Sequence, residues 1–228
     1  MFGGIPISER ILEAYIGEYA SGKSEVAVNR AISLQRKGRE VTIADLDLVE
    51  PFYTLRPIKK MLEQMGIRVV AWETGETLGL GETGSIMKPE MRWVLKRPGD
   101  VILDIGYGVE GAKVLNLIEG AAEEKQLKVF VVINVGRPLT ATINDIVEYV
   151  RDLAPVHGLI NNSHLGDDTT LEFIQEGAGV VTEAAKTLGL PVTATYMERR
   201  FEAALGGKFD NMGNYVQFLD RYMANTFW

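Results

Sequence analysis

Eight consecutive residues carry the clearest chemistry in this 228-residue chain. Gly17-Glu18-Tyr19-Ala20-Ser21-Gly22-Lys23-Ser24 reads G-x-x-x-x-G-K-S, the pattern of a phosphate-binding loop. A strand that turns into a helix through such a loop aims several backbone N–H groups at one point. The helix N-terminus adds the positive end of its dipole there, and polyphosphate is the natural occupant. Lys23 would reach the outer phosphates, and the Ser24 hydroxyl would hold Mg2+.

Three carboxylates stand where they could complete such a site. Asp104 ends the apolar run Val101-Ile102-Leu103, where it can hold Mg2+ directly or through water. Gly106 and Gly108 follow, and glycine lets backbone approach a phosphate closely. Asp45 and Asp47 flank Leu46 at the end of another apolar run, on one face by the period of two. One could serve the Mg2+ shell and the other orient water; a plain Asp-rich turn is the competing reading.

The elements that must position these groups follow from periodicity. Ile11 to Ile16 reads as a buried strand before the loop. Val26, Ala27, Ala31, Ile32 and Leu34 fall at helical spacing after it, and Gly38 stands as a C-terminal cap. Further strands are expected at 40–44, 67–72, 100–105, 128–135, 156–161 and 191–197. Helices are expected after Pro57, over 89–96, 140–153 and 171–188, and at 215–225, with Gly177 and Gly179 weakening the middle of 171–188. Glu73 to Met87, rich in Gly and Thr, reads as a long loop. Strands alternating with helices predict one α/β domain over residues 1–228: a mostly parallel sheet with helices on both faces. Ligands of such sheets bind at the C-terminal strand ends, where the loop, Asp45, Asp47 and Asp104 all fall.

Composition removes several classes of function. A net charge of −7 argues against a nucleic-acid partner. The absence of cysteine removes disulfides, thiolate zinc sites, iron–sulfur ligation and a Cys nucleophile, and fits a reducing cytoplasm. MFGGIPISER lacks the features of a signal peptide, and no stretch approaches the ~20 apolar residues of a membrane span. His157 and His164 read as packing or surface residues. Tyr215, Phe218, Tyr222 and Trp228 read as a helix docked on the core rather than on a membrane, because interfacial helices are usually basic.

These motifs, in this order, resemble the MinD/ParA/nitrogenase-iron-protein group of P-loop ATPases. Asp104, Gly108, Val109 and Glu110 fit its D-x-x-x-G-[IV]-E motif. Asp45-Leu46-Asp47-Leu48-Val49-Glu50-Pro51 is similar to its D-x-D-x-x-x-P segment, and Gly158-Leu159-Ile160-Asn161-Asn162-Ser163 resembles its G-L-I-x-N-S segment. The resemblance implies a P-loop NTPase fold, ATP and Mg2+ as cofactors, and a protein partner or homodimer. It places Gly17 to Ser24 on the phosphates and Ser24 and Asp104 on Mg2+. Asp47 would orient water with support from Asp45, Gly108 would sense the γ-phosphate, and Asn162 would contact adenine. A guanine site usually carries N-K-x-D; here Asn161-Asn162-Ser163-His164 has no acid in place. The departure is Glu18, which stands where the group has a signature lysine. That lysine reaches a dimer partner's phosphates, so slow or partner-stimulated hydrolysis is expected. Two other readings remain: an ATP-dependent enzyme activating a small molecule, as dethiobiotin-synthetase relatives do, and a nucleotide-binding module without turnover.

Overall fold

Leu12–Gly17, the strand that feeds the phosphate-type loop, lies in the interior of an eight-stranded sheet. The computed structural model describes residues 9–47, 55–72, 87–153 and 155–223. In chain order the elements are β1 (Leu12–Gly17), α1 (Lys23–Arg36), β2 (Val41–Leu46), α2 (Lys59–Gln64), β3 (Arg68–Val70), α3 (Pro89–Arg92), β4 (Asp100–Tyr107) and α4 (Gly108–Ala112). They continue with β5 (Leu127–Ile133), α5 (Ile143–Arg151), β6 (Gly158–Asn161), α6 (Leu171–Leu188), β7 (Val192–Glu198), α7 (Glu202–Leu205) and β8 (Val216–Leu219).

The strand order is β3-β2-β4-β1-β5-β6-β7-β8, and every described pairing is parallel. Strands β2 to β4 lie on one side of β1 and β5 to β8 on the other. The direction of winding therefore reverses at β1, and a crevice opens at the carboxyl ends beside it.

Alternation along the strands makes two apolar layers. Leu12, Ala14 and Ile16 face one layer with Leu103, Val131 and residues of α5 and α6. Tyr15, Ile43, Ile102 and Val132 face the other, beneath α1 and α2. Asp45 and Asp104 share the parity of Ile43 and Ile102, so both point to the α1 side of the sheet.

Three expectations change. Residues 215–223 contain strand β8, not a helix; Thr195 to Glu198 of β7 pair with Val216 to Leu219. Val216, Phe218 and Leu219 suit a short strand bounded by Asn214 and Asp220, and the sheet edge decides between the two periods. The continuation to residue 225, with Trp228, lies outside the described residues, as do 73–86 of the expected long loop. The helix expected over 140–153 begins later, at Ile143. There Thr142 and Asp145 form a reciprocal capping box, preceded by a turn at Pro138–Thr140. Helix α6 runs unbroken through Gly177 because the glycine is used for contact: a Cβ there would stand 2.2 Å from Ser163 Oγ.

The C-terminal segment is fastened to α1. The Glu25 carboxylate accepts the Tyr222 and Met223 N–H groups at 2.7 and 3.1 Å. The Asn29 amide donates to Asp220 O and accepts Asp220 N–H, each at 2.9 Å. Among the described residues no helix is long and apolar enough to cross a membrane.

Candidate nucleotide site

The loop geometry follows from where side chains are missing. A Cβ on Gly17 would lie 2.6 Å from Ser21 Oγ and 2.7 Å from Val132 O. Gly22, the residue before α1, takes φ 79, and a Cβ there would lie 2.3 Å from Asn162 Nδ2. Both positions therefore need glycine. Ala20 also takes a left-handed φ of 55, where an L side chain is strained.

The first turn of α1 presents Lys23 and Ser24, both buried. Lys23 Nζ lies 3.7 Å from Asp47 Oδ2. Asp45 Oδ1 accepts the Asp47 N–H at 3.2 Å, and Asp45 is the register partner of Asp104 on the adjacent strand. The structure thus brings together Lys23, Ser24, Asp45, Asp47 and Asp104.

Asp104 has no solvent exposure, and neither of its carboxylate oxygens receives a hydrogen bond of proper geometry. Burial pushes its pKa up to about 7. Lys23 opposes the rise, Asp45 adds to it, and the nearby Ser24 hydroxyl and Asp47 act more weakly in opposite directions. Two buried oxygens without donors, beside a hydroxyl at a helix N-terminus, are hard-donor chemistry suited to Mg2+. Ser24 and Asp104 fit that ion.

The remaining loop residues are placed as follows. Glu18 turns back, and its Oε1 accepts the Tyr19 N–H at 2.9 Å; its Oε2 is 3.9 Å from where a Cβ on Gly108 would stand. Tyr19 is half exposed and meets the Tyr107 ring edge to face at 5.5 Å. Gly108 opens α4 at φ 70. Ser21 is buried, and its carbonyl accepts from Asn162 Nδ2 at 2.8 Å. Asn162 therefore lies against the loop itself, with its amide nitrogen already engaged.

Sequence reasoning missed Asn134. Its Nδ2 donates to Ala20 O at 3.4 Å and His164 O at 3.1 Å, while its Oδ1 accepts Gly136 and His164 N–H groups. Arg137 Nε also donates to Ala20 O, at 3.1 Å. The available signal was a repeated one: an Ile-Asn pair closes each apolar run, Ile133-Asn134 at the end of β5 and Ile160-Asn161 at the end of β6. Arg56, before α2, lies 3.7 Å from Asp45 Oδ2. His164 packs beside Gly22, and its pKa is held down to about 4 by burial, then by Arg137 and Arg221.

A separate surface cavity of about 730 Å³ lies between Trp93, Leu117 and Glu123. Of its charged groups, Arg92 and Glu119 pair with each other at 3.3 Å.

No protein-family model and no curated protein matches the chain. Solved structures do. Cell division protein FtsY from Thermotoga maritima superposes with a TM-score of 0.57 at 17% identity, covering 85% of this chain and 63% of its own. Signal recognition particle receptor FtsY from Elizabethkingia anophelis, in complex with GDP, gives 0.55 at 14%, covering 99% and 65%. Signal recognition particle 54 kDa protein from Aeropyrum pernix K1, in complex with GDP, gives 0.50 at 18%, covering 81% and 41%. The chain spans less than two thirds of these structures' length. The likeness establishes an α/β P-loop NTPase fold. These three are of signal-recognition type rather than the MinD type that the motifs resemble.

Proposed function

We propose that the chain, over residues 1–228, is a Mg2+-dependent nucleotide switch that binds ATP and hydrolyses it slowly until a protein partner or second copy engages it. The observation that carries this reading is Asp104: a fully buried carboxylate whose oxygens receive no hydrogen bond of proper geometry, facing Ser24 and Lys23 at the start of α1. Such a group is costly unless a cation completes it.

In this reading Lys23 and the backbone of residues 17–24 bind phosphate oxygens. Ser24 and Asp104 hold Mg2+, which when bound neutralises charge on those oxygens. Asp47, 3.7 Å from Lys23, orients the attacking water, with Asp45 fixing Asp47 through its N–H. Gly108 senses the terminal phosphate; its φ of 70 is one that glycine, without a Cβ, adopts at no steric cost. The MinD-like assignment rests on motif order and is part of this proposal, as is a soluble cytoplasmic setting without nucleic acid or membrane. Adenine is favoured because Asn161-Asn162-Ser163-His164 offers no carboxylate to guanine. GDP in two of the similar structures favours the rival base.

Competition calorimetry with Mg-ATP and Mg-GTP, with and without EDTA, tests the reading. Tighter ATP binding that collapses without Mg2+ supports it. A GTP preference overturns the base assignment, and no binding of either overturns the function.

A further inference from the structure

Among the described residues, Arg56 holds a buried Nε that meets no acceptor, with Asp45 and Asp47 as its charged neighbours. Its side chain is 7% exposed, and its Nε donates no hydrogen bond. Its charged neighbour, Asp45 Oδ2, stands at 3.7 Å, beyond hydrogen-bond reach. The Nε–H bears the cost of leaving water without the directional bond that offsets it, and burial lowers the Arg56 pKa. Arg137, the other arginine at the site, already spends its Nε on Ala20 O.

The position of Arg56 says what is missing. Asp45 is the strand partner of Asp104 and holds the N–H of Asp47, which in turn faces Lys23. Arg56 is therefore one carboxylate removed from the groups assigned to phosphate and Mg2+. An acceptor with several oxygens, arriving beside Asp47, would complete the guanidinium fork. The loop itself brings no cation at position 18, because Glu18 turns back onto the Tyr19 N–H.

We propose that Arg56 engages the terminal phosphate of the bound nucleoside triphosphate from within the same chain. The inference rests on the nucleotide-binding reading above. In the reaction, a water oxygen bonds to the terminal phosphorus as the bond from phosphorus to the bridging oxygen breaks. The water proton passes to Asp47 and then to the released phosphate, leaving nucleoside diphosphate and inorganic phosphate. Arg56 neutralises charge on the terminal oxygens throughout, the role of an arginine finger supplied in cis.

The test compares Arg56→Gln and Arg56→Lys with wild type, using Mg-ATP and Mg-ADP in calorimetry and Mg-ATP in single-turnover hydrolysis, with GTP and GDP in parallel. Expected are diphosphate affinities within about threefold of wild type, triphosphate affinity about tenfold weaker in Arg56→Gln, and hydrolysis about 10²-fold slower in both variants. Arg56→Lys keeps a charge beside Asp45, so it carries the test if Arg56→Gln does not fold. An unchanged ratio of triphosphate to diphosphate affinity with unchanged rates overturns the proposal. So does an equal loss of both affinities, which would mark Arg56 as a structural partner of Asp45. If wild type binds neither nucleotide, the functional reading falls and takes this with it. If wild type binds but the ratio ignores Arg56, only the inference falls.

Discussion

Asp45 and Asp104 stand side by side in register on β2 and β4, 2% and 0% exposed, on the face covered by α1. Two buried carboxylates this close oppose each other's ionisation, and burial has already raised Asp104 to about 7. The folded pKa exceeds the ordinary aspartate value of 3.8, so the folded state holds the proton more tightly. This contribution to stability is fully present below about pH 4 and is lost as pH rises through about 7. Asp104→Asn should therefore stabilise the nucleotide-free protein by about 2 kcal/mol at pH 8, with little gain at pH 4, while abolishing the Mg2+ dependence of nucleotide binding. Urea melts at both pH values decide it; a less stable variant at pH 8 would count against the buried charge.

Lys23→Ala should weaken Mg-nucleotide binding about ten- to a hundredfold. The ammonium makes a charge-assisted contact worth about 1.5–3 kcal/mol. Calorimetric affinities equal to wild type would show that the loop does not hold phosphate.

Ala20 tests the strain in the loop. Its φ of 55 costs a non-glycine residue about 1 kcal/mol or more. Ala20→Gly should raise stability by up to about 1 kcal/mol, after the entropy that glycine adds to the unfolded chain, whereas Ala20→Val should lower it by about 1–2 kcal/mol. Denaturant midpoints of the two variants moving in the same direction would contradict a left-handed Ala20.

His164 supplies an acid limb. Its folded pKa of about 4 lies below the ordinary histidine value of 6.5, so its contribution is fully present above pH 6.5 and is lost as pH falls towards 4. His164→Gln should flatten the stability profile across that window by at most about 2 kcal/mol, because the side chain is only partly buried. His157, also lowered, is the control; a profile flattened only by changing His157 would reverse the assignment.

The strand–loop–helix turn over residues 17–24 was readable because its spacing is rigid: Gly17 and Gly22 mark where no Cβ fits, and Lys23 and Ser24 open α1. Asp45 and Asp104 were readable because each ends an apolar run. Their lateral pairing was not, since register between strands 59 residues apart in sequence is set by the whole sheet. The same limit hid Asn134 and Asn162 as props beneath the loop, because a buried amide and a surface amide look alike in sequence. Residues 216–219 were misread because three apolar positions, Val216, Phe218 and Leu219, satisfy both periods, and only the β7 edge chooses. Gly177 looked like a helix breaker until Ser163 appeared against it.

The bonds from Glu25 and Asn29 to residues 220–223 tie the helix that follows the glycine-rich loop to the segment after β8. A nascent chain that stops before Asp220 has every residue of the phosphate loop and yet lacks the anchors on the helix that follows it. Such a truncated chain would keep the motif on an α1 whose Glu25 carboxylate and Asn29 amide have lost these backbone partners.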